Sequence, residues 1–185
     1  KTRLVQHSLI SDVFQGVLLS RVKCLRCKTP SITEDKFFDL SVSIPDQKTQ
    51  CELEGEDGVK ATWSSALMNM IGLSTPTVKL ETCIAAFCSK ELLAGREKYK
   101  CEKCKSLQDS EKEFKLRRLP EVLCIHIKRF KYDYFGSKLN HFIKFPMTGL
   151  DMAPFCASNC QDLYRGTTKY NLVAVVNHIG GLTRG

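Results

Sequence analysis

YKCEKCKSLQDSEKEFKLRRLPEVLCIHIKRF, residues 99–130, contains a C-x-x-C pair at Cys101 and Cys104. A second pair, CLRC, lies far upstream at Cys24 and Cys27. A C-x-x-C turn can bring two thiolates to one zinc ion, and two such turns complete a tetrahedral shell. The four cysteines therefore predict a closed structural zinc site, with no coordination position left for water.

The separation of the two pairs restricts this interpretation. The 73 residues between Cys27 and Cys101 are far more than a compact zinc ribbon has, so the ion would join two hairpins distant in the sequence. Two alternatives stay open: unrelated pairs of structural thiols, or a redox-active pair. A thioredoxin-like pair is expected beside a βαβ pattern, whereas both pairs here lie between Lys-rich segments that look like strands.

Composition narrows the class of protein. A length of 185 residues suits one sizeable domain or two small lobes. The ten cysteines occur partly in apolar stretches, which is typical of reduced thiols and indicates a cytosolic or nuclear protein. The formal net charge of +8 is spread along the chain without a run of like charges, so we expect no nucleic-acid partner. The apolar runs are too short to span a bilayer, and we expect no membrane partner.

Hydrophobic periodicity predicts an α+β fold with early helices and mostly antiparallel later strands. Residues 111–119 are expected to pair with residues 121–130 through the break at Pro120. Residues 46–61 are interpreted as an exposed insertion or loop. Helices are also predicted over residues 8–16, over residues 79–95 and from residue 62. Strands are also predicted over residues 17–24, 36–45 and 169–180. The last of these strands is expected to be buried on both faces.

Several motifs in one order resemble the ubiquitin-specific proteases, a family of deubiquitinases of the peptidase C19 type. They are VKCLRCKTPSITEDKFFDLSVSIP, YKCEKCKSLQDSEKEFKLRRLPEVLCIHIKRF, the FP of Phe145 and Pro146, the GLDM at Gly149, and YNLVAVVNHIGG. Together they cover most of residues 8–185. Residues 46–78 and LETCIAAFCSKELLAG look most like the branch of von Hippel–Lindau-interacting deubiquitinases.

The resemblance implies a papain-like right hand of fingers, palm and thumb that holds ubiquitin and ubiquitinated proteins. The zinc-ribbon-like fingers would comprise residues from about 17–45 and 96–118. An insertion would span about 46–78. The palm would comprise about 79–95 and 119–185. A catalytic thiolate, activated by a histidine that a third group orients, would hydrolyse the isopeptide or peptide bond after the C-terminal glycine of ubiquitin. Zn²⁺ at Cys24, Cys27, Cys101 and Cys104 would be structural.

The departures from the family pattern concern catalysis. None of the ten cysteines lies in a cysteine box of the G-N-T-C type. We therefore expect no catalytic residue and no cofactor-binding residue among these 185 residues. The thumb is also expected to be missing. His178 matches the first histidine of the family's H-x-G motif, which is not the general base. We expect this fragment to be inactive alone. The alternative hypothesis is a non-catalytic ubiquitin-binding scaffold of the same fold.

Overall fold

The computed structural model describes residues 8–55, 77–131 and 137–180. The chain forms two compact units, each of which is assembled from separated segments. Unit 1 contains the described residues 8–40, 88–124 and 151–169. Unit 2 contains the described residues 41–55, 77–87, 125–131, 137–150 and 170–180.

The secondary structure confirms the α+β class. The helices are α1 (Leu9–Phe14), α2 (residues 47–55), α3 (Leu80–Cys88) and α4 (Gln161–Arg165), with 3₁₀ turns at Gly95–Glu97 and Ala153–Phe155. The strands are β1 (Gly16–Cys24), β2 (Pro30–Phe37), β3 (Leu40–Ser43), β4 (Thr77–Lys79), β5 (Glu91–Leu93), β6 (Tyr99–Cys101), β7 (Ser106–Gln108), β8 (Ser110–Arg118), β9 (Ile125–Lys128), β10 (Phe130–Lys131), β11 (Ser137–Lys138), β12 (Phe142–Lys144), β13 (Leu150–Asp151) and β14 (Lys169–Tyr170). None of the helices in the described ranges is long and apolar enough to cross a membrane.

Unit 1 is built on a four-stranded sheet with the order β2-β1-β8-β5. The central strand β1 pairs antiparallel with β2 on one side and with β8 on the other. The predicted pairing of residues 111–119 with residues 121–130 is therefore wrong. Strand β8 pairs with β1 and β5, while β9 pairs with β3. Neighbouring strands in a sequence need not pair when a more distant strand offers a longer ladder.

The segment that contains α4 runs beside β8, along the edge that does not pair with β1. Leu116 of β8 is fully buried, forms a bridge with Cys156, and accepts a hydrogen bond from the Ala157 backbone at 2.8 Å. The Asp162 carboxylate accepts a hydrogen bond of 2.8 Å from the backbone N–H of Leu119. The end of β8 is thus held by a backbone bridge and, just beyond it, by a charge-assisted hydrogen bond.

Unit 2 places α3 beside the parallel pair β4–β12, with a core of Val42, Val78, Ile84 and Ile143. Residues 47–55 form helix α2, so their interpretation as a loop is wrong. The Asp46 side chain accepts a hydrogen bond of 2.8 Å from the Thr49 backbone, which is the contact of an N-cap. Capping, rather than apolar periodicity, thus begins this polar helix. The residues from 56 to 76, with the helix predicted from Thr62, lie outside the described residues.

Two further predictions are corrected. The helix expected over residues 79–95 ends at Cys88, because the next segment pairs as β5 with β8, in the register Leu92 with Glu111. The strand expected over residues 169–180 is limited to Lys169–Tyr170. Val176, expected to be buried, is 97% exposed. An apolar run shows that a segment can be buried, but a strand also needs a partner edge, and none of the described strands pairs with residues 171–180.

Candidate metal centre

The β1–β8 ladder closes the long separation between the two C-x-x-C pairs. Strand β1 ends at Cys24, and its partner there is Ser110, the first residue of β8. The second pair lies just before β8, at the hairpin between β6 and β7. The backbone N–H of Leu25 also donates to the carbonyl of Asp109 at 2.9 Å, which ties the first turn to the chain that follows the second. The two turns therefore face each other at one end of the sheet.

The four sulfur atoms lie at spacings that suit a tetrahedral ion. Cys24 Sγ is 4.0 Å from Cys104 Sγ, and Cys27 Sγ is 3.6 Å from Cys101 Sγ. Four ligands at a zinc–sulfur distance of about 2.3 Å would be about 3.8 Å apart in a regular tetrahedron. The four ligand atoms all lie within 4.8 Å of one another. All ten cysteines lie in the described ranges and none forms a disulfide, so these thiols can hold a metal ion.

Both turns have the same backbone signature. Lys28 follows Cys27 with φ of 59°, and Lys105 follows Cys104 with φ of 54°. These are the two non-glycine residues with positive φ in the described ranges. The left-handed conformation turns the chain back after the second cysteine of each pair. Two turns with one geometry, in sequences that share little beyond C-x-x-C-K, indicate that the cysteine positions impose this shape.

The environment of the thiols differs across the quartet. Hydrogen bonds from the side chain and backbone of Thr29 lower the pKa of the Cys27 thiol to about 6. Desolvation raises the pKa of the Cys104 thiol to about 12, and hydrogen bonding to Cys27 acts in the same direction. The pKa values of these two thiols are thus shifted in opposite directions by their surroundings. Cys24 and Cys101 are buried, so the quartet is enclosed on one side by protein.

The structure thus brings together Cys24, Cys27, Cys101 and Cys104, the four residues that the sequence proposed as metal ligands. Sequence reasoning missed the supporting residues, namely Thr29, Ser110, Lys28 and Lys105. The two lysines could have been found, because each directly follows the second cysteine of its pair. Ser110 is fully buried and its hydroxyl donates to the Gln108 carbonyl at 3.2 Å, a contact that depends on the β7–β8 geometry and has no sequence signal.

Cys156, Cys160 and His178 do not belong to the cysteine quartet, and their surroundings differ from it. Cys156 and Cys160 are both buried, and the Cys160 thiol donates to the Asp162 carboxylate at 3.5 Å. Burial raises the pKa of the Cys156 thiol to about 12, so it is a poor nucleophile. His178 is exposed, and its ring meets the Phe130 ring edge-on with centroids 5.6 Å apart.

Comparison with known proteins identifies the class of this fold and site. The family model described as ubiquitin carboxyl-terminal hydrolase matches residues 1–185. The human protein named ubiquitin carboxyl-terminal hydrolase 3 is 34% identical over 175 residues, which are 94% of this chain and 30% of that protein. A chain of the SAGA Ubp8/Sgf11/Sus1/Sgf73 DUB module bound to ubiquitin aldehyde is similar with a TM-score of 0.60 and 27% identity, over 85% of this chain and 28% of that one.

These matches define a deubiquitinase-type hydrolase domain. The chain belongs to the ubiquitin carboxyl-terminal hydrolase family, as a member of its ubiquitin-specific protease group. The expected family membership and α+β fold are confirmed. The chain spans about a third of the length of the relative it matches. The division into fingers, insertion and palm, and the branch of the family, stay predictions.

Proposed function

We propose that the protein containing this chain is a thiol-dependent deubiquitinase, which hydrolyses the bond after the C-terminal glycine of ubiquitin. The observation that carries the proposal is the match of the family model to the whole of residues 1–185. The similar solved chain belongs to a module bound to ubiquitin aldehyde, which supports ubiquitin as the partner. We place the activity in the cytoplasm or nucleus, because ten cysteines without disulfides suit a reducing compartment.

We further propose that the cysteine quartet holds a structural Zn²⁺. Four sulfur ligands fill a tetrahedral shell, so the ion would supply stability and not Lewis-acid chemistry. Its ligands come from the end of β1 and from the β6–β7 hairpin, so zinc would cross-link the four-stranded sheet to that hairpin. The surrounding sheet would form part of the surface on which ubiquitin rests.

The proposal assigns the catalytic thiol to sequence outside these 185 residues. The cysteines of this chain are the four of the quartet, the buried Cys83, Cys88, Cys156 and Cys160, and Cys51 and Cys124. Burial raises the pKa of Cys83 and of Cys88 to about 11, opposite to the low pKa that activates a nucleophilic thiol. The chain by itself would therefore bind zinc and contribute to the ubiquitin surface without hydrolysing a substrate.

A ubiquitin probe with an electrophilic C-terminus tests the enzymatic proposal. The complete protein should form a covalent adduct with the probe, whereas the 185-residue chain should not. Catalytic turnover of ubiquitin that carries a fluorogenic amide should accompany the adduct. A complete protein that binds ubiquitin reversibly but forms no adduct would instead be the non-catalytic scaffold.

Metal content tests the zinc proposal separately. The wild-type protein, prepared under reducing conditions, should contain one zinc per chain, and Cys101→Ser should lose it. Cys124→Ser is the matched control, since Cys124 is exposed and lies outside the quartet, and it should retain the metal. Absence of zinc from the wild-type protein would contradict the assignment, whatever the outcome of the ubiquitin probe.

A further inference from the structure

Lys138 of β11 makes an unusual set of contacts with one short segment of unit 2. Its ammonium lies 2.7 Å from the carbonyl oxygen of Gly180, 3.2 Å from the carbonyl oxygen of His178 and 3.4 Å from Nδ1 of the same histidine. An ammonium has three N–H donors and no acceptor, so three acceptors saturate it. One side chain thus holds both the backbone and the ring of residues 178–180.

The opposite strand of the hairpin completes this attachment. Phe130 of β10 is the direct cross-strand partner of Lys138. The Phe130 ring packs edge-on against the His178 ring at an interplanar angle of 81°. Gly180 has φ of 123°, which non-glycine residues rarely adopt, and this conformation occurs where its carbonyl meets Lys138. The pair Phe130 and Lys138, here named the clip, therefore holds His178 from both strands of one hairpin.

Further hydrogen bonds close the base of the hairpin. The guanidinium of Arg129, next to Phe130, donates to the carbonyl oxygens of Leu139 at 3.3 Å and of His141 at 2.7 Å. The backbone N–H of Leu139 donates in return to the carbonyl of Arg129 at 2.7 Å. These bonds join the residues directly before β10 to those directly after β11. The clip is thus presented from a hairpin that is tied at its base.

The segment that the clip holds has little other regular structure. Residues 171–180 belong to none of the assigned helices or strands. Val173 and Val176 are 86% and 97% exposed, so packing does not fix the middle of the segment within the described residues. Its start is tied by the backbone bond from Leu172 to Met147, at 2.9 Å. The course of the chain at 178–180 therefore depends on the clip.

We propose that Lys138 is a positioning residue for hydrolysis, which acts by holding residues 178–180 in place. The inference rests on the proposed function, through the resemblance of His178 and the glycines after it to the H-x-G motif of the family. The ammonium only donates, so Nδ1 of His178 can accept from it in the tautomer that has the ring proton on Nε2. Lys138 thus favours one ring tautomer and orients the carbonyl groups of His178 and Gly180.

Steady-state kinetics of the complete protein test the positioning role. Lys138→Met keeps the aliphatic stem but removes all three donors, and with fluorogenic ubiquitin amide it should lower kcat about tenfold, equivalent to about 1.4 kcal/mol of barrier. KM should change by less than about twofold, since the clip does not touch ubiquitin in this proposal. Lys138→Arg keeps charge and donors and should recover most of the lost kcat. Lys128→Met, on the exposed side of β9, is the matched control and should behave as wild type.

Unchanged kcat in Lys138→Met, or a failure of Lys138→Arg to recover any activity, would overturn the positioning role. A second measurement does not depend on activity. Long-range ¹H–¹⁵N spectra of the His178 ring in the wild-type protein should show the Nε2–H tautomer, and Lys138→Met should speed amide exchange at residues 178–180. The opposite tautomer would overturn the clip. A protein with no activity but with these signals would refute the proposed function and leave the clip intact.

Discussion

Replacing Lys28 and Lys105 by glycine should stabilise the metal centre. Both lysines are exposed and have positive φ, of 59° and 54°, in the two turns that present the cysteines. The left-handed conformation costs an L-residue about 1–2 kcal/mol because Cβ approaches the following carbonyl. Glycine avoids this cost but loses about 0.5–1 kcal/mol more backbone entropy on folding. The net gain is therefore about 0.5–1 kcal/mol for each turn.

The assay is guanidinium denaturation, followed by circular dichroism, of the zinc-saturated protein under reducing conditions. The matched controls are Lys23→Gly in β1 and Lys100→Gly in β6, which lie a few residues from the turns but in strands. A strand glycine should cost about 0.5–1 kcal/mol, so turn and control variants should change stability in opposite directions. If the turn variants lose as much stability as the strand variants, the left-handed lysines are not strained and the reasoning is refuted.

Two more predictions concern pH and thiol reactivity. The backbone N–H of Ala153, 2.9 Å from the Asp151 carboxylate, lowers the pKa of that group, and the Thr168 hydroxyl at 3.1 Å acts in the same sense. A carboxyl whose pKa is lowered in the folded state stabilises the protein at pH values above its unfolded-state pKa of about 3.9, and this stabilisation is lost as the pH falls through the folded-state pKa. The loss of unfolding free energy caused by Asp151→Asn, measured by urea denaturation, should therefore shrink between pH 6 and pH 3. An equal deficit at both pH values would contradict this. In native protein at pH 8, iodoacetamide should modify the exposed Cys124 much faster than the buried Cys83 and Cys156. Burial raises the pKa values of the latter two thiols to about 11 and about 12. Mass spectrometry after short labelling measures the extent of modification at each cysteine. Denaturant should remove the difference, and equal labelling without denaturant would show that these thiols are not enclosed.

The sequence by itself determined the cysteine quartet and the family. C-x-x-C spacing is a local property, since the turn that brings two thiolates together is built from four adjacent residues. The helix predicted over residues 8–16 and the strand predicted over residues 17–24 likewise depend on neighbouring residues, and a helix and a strand lie there, at Leu9–Phe14 and Gly16–Cys24. Motif order along the chain was enough to identify the family without any knowledge of strand pairing.

Strand partners depended on the tertiary structure. The sequence favoured the adjacent residues 121–130 as the partner of β8, but β1, about ninety residues upstream, offers the longer ladder and brings the two cysteine turns together. Helix α3 ends early for the same reason, because residues 91–93 gain a place at the edge of that sheet. Pairing energy is gained between segments far apart in the chain, so no local pattern carries it.

The segment that contains His178 also shows the difference between local sequence pattern and tertiary contacts. Its valines predicted a buried strand, yet Val176 is exposed and the local order comes from Lys138, forty residues upstream. Hydrophobicity is a property of each residue, whereas burial and hydrogen-bond partners depend on which other residues the fold places beside it. The sequence therefore determined which residues could bind a metal, and the tertiary structure decided which side chains lie beside them.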